Sequence, residues 1–379
     1  MQKTKKKLTK AQRRRRRRNR RIAWRATLCV LTLIGLVLVA ALSAGEAAFN
    51  GPSQTVGDLL TVSMLETSAL KFVPRIFYSQ EKLDEVVARN SVSEDNDETD
   101  TSLIVVAKPT PIPDPGEVQA AEAGEGEAQT ADAASTPQPT PAPENLLSSE
   151  DGIELYQVKS GTYNGYMMVV LDPSRVTVGT CRDKFNGSRG LQLKDIAKRY
   201  DALAAINGGG FEDKGGVGNG GTPVGLVVAQ GKLMHTGNAG QYNITVGFNQ
   251  DNIMVLAKNM SKSEAKEKGI RDAITFGPAL IVNGEPVAVK GASSGLNPRT
   301  AIGQRSDGAV LMLVIEGRQA SSLGATYADL ISIMLEYGAI NAINMDGGSS
   351  SLMYYKGEYV NNGVVLTGSR TMPTAFIVR

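Results

Sequence analysis

The run Ala26 to Gly45 (ATLCVLTLIGLVLVAALSAG) holds twenty residues without one charged side chain. A helix rises about 1.5 Å per residue, so this run reaches roughly 30 Å, the thickness of a bilayer's hydrocarbon core. It divides the chain before any other segment is placed. Residues 1–25 contain fourteen Lys and Arg and no acid, including the unbroken run Arg13 to Arg18. A flank of that kind stays on the cytoplasmic side. The expectation is a basic cytoplasmic tail (1–25), a single transmembrane helix (26–45) in the cell membrane, and an extracellular remainder. A cleaved signal peptide is the rival. The run is long for the apolar part of a signal, although Ala40-Ala41-Leu42-Ser43-Ala44 supplies small residues suited to cleavage. Beside a span, the basic tail sets topology and attracts anionic membrane lipid; nucleic acid is not expected as a partner.

The formal charge of +3 conceals an acidic exterior. Residues 81–150 carry sixteen acids and three bases, with Pro109, Pro111, Pro113, Pro115, Pro137, Pro139, Pro141 and Pro143 among them. Such sequence buries too little apolar surface to offset chain entropy. Residues 91–150 are therefore expected to be a disordered acidic linker, with Leu103 to Ala107 as a brief docking strand at most. Residues 46–90 read as a membrane-proximal stalk with one helix near Glu81–Arg89. The two cysteines, Cys29 in the span and Cys181 beyond it, cannot pair within one molecule of this topology. The domain at 151–379 must then rely on its core, and its length allows one.

In that domain Ile153–Lys159, Tyr166–Leu171, Val176–Cys181, Ala202–Ile206, Val224–Ala229, Ala309–Ile315, 352–355 and 374–378 read as strands. Leu191–Tyr200, Ser261–Lys268 and Thr326–Tyr337 read as helices. Strands outnumber helices without regular βα alternation, so the fold class is α+β with a mixed β-sheet. Two stretches echo each other. Tyr200-Asp201-Ala202-Leu203-Ala204-Ala205-Ile206-Asn207-Gly208-Gly209-Gly210 parallels Tyr337-Gly338-Ala339-Ile340-Asn341-Ala342-Ile343-Asn344-Met345-Asp346-Gly347-Gly348. Each runs helix, turn, apolar strand, Asn, glycine loop. Two such units can point their loops into one cleft, where glycine backbone approaches an anion closely.

The chemistry-bearing residues gather at strand ends. Asp346 stands in its glycine turn with Ser349 and Ser350. Glu316 and Arg318 follow the strand ending at Ile315, and Arg299 and Thr300 follow a Pro-defined corner. Planar guanidinium groups suit phosphate. Each has a structural alternative: a Glu316–Arg318 rim salt bridge, Asn207 capping a turn, Arg299 as a corner residue, Asp346 fixing its own loop. His235 is the single His, and no G-x-S-x-G elbow is present, which argues against a serine triad and so against a protease or esterase. No His pair, CxxC or EF-hand spacing marks a metal site, and no cofactor is expected; a structural Ca²⁺ on Asp and carbonyl oxygens stays open.

Six motifs in order carry a resemblance: Asn207-Gly208-Gly209-Gly210-Phe211, Thr222-Pro223-Val224-Gly225, Phe276-Gly277-Pro278, Asn297-Pro298-Arg299-Thr300-Ala301-Ile302-Gly303, Gly317-Arg318-Gln319 and Asp346-Gly347-Gly348-Ser349-Ser350. Over about 155–379 the chain resembles the phosphodiester glycosidase family. That family includes the lysosomal enzyme that uncovers mannose phosphate by removing N-acetylglucosamine, and bacterial envelope proteins of exopolysaccharide metabolism. The resemblance implies hydrolysis of a sugar-1-phosphodiester in a cell-envelope glycan or exopolysaccharide. It implies Asp346 as base or nucleophile, Glu316 as its partner or a sugar ligand, and Arg299 and Arg318 as phosphate stabilisers. Asn207, Gly208, Gly209, Thr222, Thr300, Asn344, Gly347, Gly348, Ser349 and Ser350 would bind substrate. The sequence departs from the family pattern at Glu212, where a second aromatic is frequent, at Glu316, where Asp is frequent, and at Ser349, where a third Gly is frequent. A non-catalytic glycan-binding or polysaccharide-assembly protein is the competing class. The sugar, the stereochemical outcome and the oligomeric state are left open.

Overall fold

The computed structural model describes residues 9–67, 70–92, 98–106, 145–213, 218–240, 243–363 and 370–379. Most of the expected linker, 107–144, lies outside the described residues, as do residues 1–8 of the basic tail.

The uncharged run belongs to one long helix, α1 (Lys10–Phe49), opened by a capping box in which Thr9 and Gln12 each accept the other's amide. It is long and apolar enough to cross a membrane. Leu33, Leu36 and Val39 are each about 60% exposed on it, so none of the described residues covers this surface. Three shorter helices follow: α2 (Gln54–Leu65), α3 (Pro74–Phe77) and α4 (Gln80–Arg89). Ser53 and Ser79 cap α2 and α4. Arg89 forks onto Asp58, both contacts at 2.5 Å, and Asn90 adds a third hydrogen bond to the same carboxylate.

This segment docks on the distal domain. The Asn90 side chain accepts the Ala292 amide at 2.6 Å, Ser63 accepts the Leu296 amide at 2.9 Å, and Val92 bridges Val289. Residues 98–106, expected to be disordered, also lie on the domain. Asn283 accepts the Asp100 amide, Thr99 accepts the Leu256 amide, Val105 donates to the Ser306 carbonyl, and Ile104 is buried. Four apolar residues among the acids are enough when the domain offers matching backbone groups.

From Leu146 the chain builds three sheets, one of eight strands and two of five. They share one core. Ile302, Met312, Val314, Ile343 and Met345 of the eight-stranded sheet meet Ile206 and Phe376 of one five-stranded sheet and Val246 and Ile274 of the other. Alternate residues point outward, and each outer face carries one helix. Leu311, Leu313 and Ala342 pack under α7 (Tyr327–Glu336). Ala205 and Ile377 pack under α5 (Leu193–Arg199), and Val255 and Ala273 under α6 (Lys262–Glu267). A period-2 strand thus fills two layers at once.

Every strand pairing among the described residues is antiparallel, where a mixed sheet was expected. The two echoing units explain the difference. Helix α7 connects strand Val310–Ile315 to strand Ala339–Met345, but strand Arg299–Arg305 lies between them and pairs with both. Helix α5 connects Val176–Thr180 to Ala204–Asn207, with Thr374–Val378 between. Each crossover skips one strand, so the strands it joins never become neighbours.

Glycines let the sheets close on each other. A methyl at Gly209 would stand 2.7 Å from the Thr275 carbonyl oxygen, which belongs to rigid strand backbone. Gly209→Ala should therefore lower unfolding stability by about 1–3 kcal/mol through overpacking. Gly161→Ala, in open space, should change it by less than about 0.5 kcal/mol. Urea denaturation of the two variants tests this pair, and equal stabilities would refute the packing role.

Candidate active site

The loops of the two echoing units meet. Asn207 ends one strand, buried, and its side-chain nitrogen donates to the Asp346 carbonyl at 2.6 Å. Its side-chain oxygen accepts the Thr300 hydroxyl at 2.7 Å and the Leu352 amide at 3.1 Å. The Asp346 amide donates to the Gly208 carbonyl at 3.3 Å. The main chain of Asp346 is thereby held at its N–H by the Gly208 carbonyl and at its C=O by the Asn207 side chain, which leaves the carboxyl outside this clamp. Asn207 and Thr300 are committed to this clamp.

The other polar residues divide in the same way. Asn344, also buried, donates to the Gly277 carbonyl at 2.9 Å and so fixes the Phe276-Gly277-Pro278 corner. The amides of Gly208, Gly209 and Gly210 donate to the Thr374 carbonyl, the Thr374 hydroxyl and the Thr275 carbonyl. These glycines serve close strand contact rather than an anion cradle. Gly347 and Gly348 pack on Pro298, whose carbonyl accepts the Gly348 amide at 2.9 Å. Gly348 has φ +61°, a conformation that favours glycine. Gly348 begins a short 3₁₀ turn, Gly348–Ser350, that buries Ser350 and leaves Ser349 partly exposed. Thr222 lies at the edge, its carbonyl accepting the Glu212 amide. Glu316 is buried and accepts the Asn362 amide at 2.7 Å, so it anchors the 362 loop.

The two arginines play different parts. Arg299 is 4% exposed, and its guanidinium is spread over the Ala325, Ser294 and Gly295 carbonyls and the Ser294 hydroxyl, with the Tyr327 ring 4.5 Å away. It also pairs with Glu66 at 3.0 Å. Arg318 is exposed, donates to the Asn297 side chain at 2.9 Å, and lies beside Gly348, two residues from Asp346. Asn297 joins the pair, since its nitrogen donates to the same Glu66 oxygen at 3.2 Å. Burial pushes the Glu66 carboxyl up, against the pull of Arg299 and Arg318. Glu66 thus brings a carboxylate from the end of α2 into the arginine corner.

Burial pushes the Asp346 carboxyl up to about 6. The neighbouring Ser350 hydroxyl, the charge of Arg370 and the Gly347 amide pull it back, while Asp213 adds to the rise. Asp213 and Arg370 form an ion pair at 2.5 Å, and Arg370 covers the Phe211 ring at 4.8 Å. Both charges of this pair act on Asp346. His235 packs edge-on to Phe185, and burial lowers it. No cluster of three or more His, Cys, Asp or Glu placed to hold a metal occurs among the described residues.

Residues 200–379 match the phosphodiester glycosidase family model. A SPbeta prophage-derived protein of Bacillus subtilis (strain 168), YomE, is 33% identical over 175 residues, 44% of this chain. The chain spans about a quarter (26%) of that relative's length. Among solved structures, the zebrafish N-acetylglucosamine-1-phosphodiester alpha-N-acetylglucosaminidase catalytic domain, auto-inhibited by its pro-peptide, aligns with TM-score 0.49 and 20% identity. That alignment covers 64% of this chain and 86% of the zebrafish one. A putative exported protein of Burkholderia pseudomallei K96243 aligns with TM-score 0.44 and 16% identity, over 57% of this chain and 74% of its own.

The segment that matches the phosphodiester glycosidase family model contains the Asn207–Thr300–Asp346 clamp, Arg299, Arg318, Glu316, Asp213 and Arg370. Glu66 lies outside it. Sequence reasoning missed Glu66, Asp213 and Arg370. Asp213 stands two residues after Phe211, close enough to have been considered. Glu66 and Arg370 carry no local signal, because only long-range packing brings them here.

A carboxyl raised in the folded state favours folding when protonated. That contribution is complete below about pH 4 and lost as pH rises through about 6. Asp346→Asn should therefore be more stable than the unmodified chain above pH 6, on the order of 3 kcal/mol. The difference should vanish near pH 4. Melting curves at pH 4 and pH 7 check it, and a gap independent of pH would contradict the raised carboxyl.

Proposed function

We propose that this protein is a membrane-anchored hydrolase that cleaves the C1–O bond between a sugar and a phosphate in an extracellular envelope glycan or exopolysaccharide. The observation that carries the reading is Asp346: its main-chain N–H and C=O are both hydrogen-bonded, by the Gly208 carbonyl and the Asn207 side chain, its carboxyl is pushed up to about 6, and it lies in a segment that matches a hydrolytic family. Breaking the C1–O bond passes through an oxocarbenium-like state and releases a phosphate monoester plus the free sugar, with water adding at C1. The departing group is already anionic, so it needs positive charge more than a proton. Arg318 has exposed donors for it, and Arg370 supplies a second cation near Asp346. Asp346, mostly ionised above about pH 6, acts on C1 or on the attacking water. Ser349, Gly347 and Thr222 border the space for the sugar. Glu316 orients the 362 loop, while Asn207, Thr300, Asn344 and Arg299 position the site from behind.

Glu66 competes with the substrate in this reading. Its carboxylate lies on Arg299 and Asn297 beside Arg318, where a phosphodiester would bring the same charge. Substrate binding then requires that this side chain be displaced. The membrane-proximal segment also shapes the 290–297 loop through Asn90 and Ser63, so the full chain is the proper object of assay.

The test is incubation of the detergent-solubilised full chain with a panel of sugar-1-phosphodiesters, following free sugar and phosphomonoester. Release of both is expected, with loss of at least a thousandfold in Asp346→Asn. Saturable binding without release would favour a glycan-binding protein, a reading supported by how many of the polar residues serve the fold. Glu66→Gln should lower KM on the order of tenfold, the equivalent of about 1.4 kcal/mol, with kcat little changed. A raised KM or a collapse of kcat would make Glu66 part of the substrate site instead.

A further inference from the structure

From Leu70 into α3 the chain exposes a dense apolar and basic surface. Leu70 is 44% exposed, Phe72 59% and Ile76 56%, and Lys71 and Arg75 are exposed among them. Single exposed apolar residues are ordinary, but three large ones within seven positions call for a partner. The place of this surface in the fold says which. Helix α3 packs on the far end of α1, where the Phe77 ring stacks on Phe49 with centroids 4.8 Å apart. A methyl at Gly45 would collide with the Phe77 ring, and the Tyr78 hydroxyl donates to the Phe49 carbonyl. Gly45 is the last residue of the uncharged run. The exposed surface is therefore tied to α1 within about one helical turn, roughly 5 Å, of where the helix leaves the hydrocarbon.

We propose that residues 70–76 form a lipid-docking surface that lies in the bilayer interface beside α1. Leu70, Phe72 and Ile76 enter the acyl boundary, and Lys71 and Arg75 meet anionic headgroups. The proposal rests on α1 being a retained membrane anchor. It also has a consequence for substrate. Glu66, seated in the arginine corner, precedes Leu70 by four residues, a reach of at most roughly 14 Å. Docking of the patch would hold that corner close above the lipid. The glycan phosphodiester it meets is then one attached to, or lying on, the membrane.

The chain's single tryptophan, Trp24, precedes the span, so two reporters separate the anchor from the patch. In liposomes containing acyl-brominated and anionic lipids, Trp24 of the unmodified full chain reports insertion of α1. Full-length Trp24→Phe/Phe72→Trp reports the patch, and Trp24→Phe/Val105→Trp is the control, since Val105 is 72% exposed on the distal domain. Bromolipid should quench Trp24 and the indole at position 72 several-fold more than the indole at 105, with blue-shifted emission at 72. Quenching of Trp24 alone, with the indole at 72 open to acrylamide, would overturn the docking surface. An indole at 72 shielded from both quenchers would also overturn it, showing protein cover such as a second copy of the chain. Absence of lipid quenching at both positions would refute the anchor and the docking surface together.

Discussion

The Asn207 side chain ties the molecule's two halves together. Strand Ala204–Asn207 belongs to a five-stranded sheet, while Thr300 belongs to the eight-stranded one and Asp346 directly follows its strand Ala339–Met345. One amide group joins them through two hydrogen bonds, to Asp346 and from Thr300, and accepts a third from the Leu352 amide on its own sheet's side. Each such bond contributes only about 1 kcal/mol net, but a buried polar group left unmatched costs about 1–3 kcal/mol. The three bonds therefore stand or fall together. They fix the backbone on which the Asp346 carboxyl is displayed, and so they connect sheet packing directly to the chemistry of the candidate site.

Charge in this site is divided by burial rather than by residue type. Arg299 and Arg318 look equivalent as phosphate-binding candidates. Arg299 is absorbed by carbonyls of the 294–295 loop and by Ala325, which neutralises its hydrogen-bonding capacity and makes it a strut for that loop. Arg318 keeps exposed donors beside Gly348. Glu66 then enters from the membrane-proximal helices to satisfy the charge that Arg299 retains. A segment that reads as a stalk in sequence is in this way part of the site's electrostatics, and its own geometry couples the site to the end of α1.

Much of the architecture was legible where one physical pattern dominates. Ile153–Lys159 and Thr374–Val378 are strands as their alternation and apolar content predict, and α7 follows its helical period between a Thr326 cap and Tyr337. The stretch from 232 to 305 was largely unread. Ile244–Asn249 and Ile270–Phe276 are buried along nearly their whole length, which erases alternation. Lys232–Thr236 is an edge strand with little burial, which weakens the apolar signal. Arg299–Arg305 is buried with Thr300 and Gln304 inside it, because partners across the sheets accept them. Hydropathy cannot show a strand whose polar residues are satisfied by distant groups.

The sequence alone determined the membrane-length helix, the strand-rich domain beyond it, the two echoing helix–strand–glycine units and the prominence of Asp346. Those features depend on composition and on periodicities within about twenty residues. Tertiary structure decided which of the polar side chains remain available. Asn207 reaches a partner 139 residues away, Thr300 one 93 away and Glu66 one more than 230 away. Hydrogen-bond commitment is a property of such long-range pairs. The candidates that share one motif vocabulary therefore separate, in three dimensions, into those that hold the site and those that face its open space.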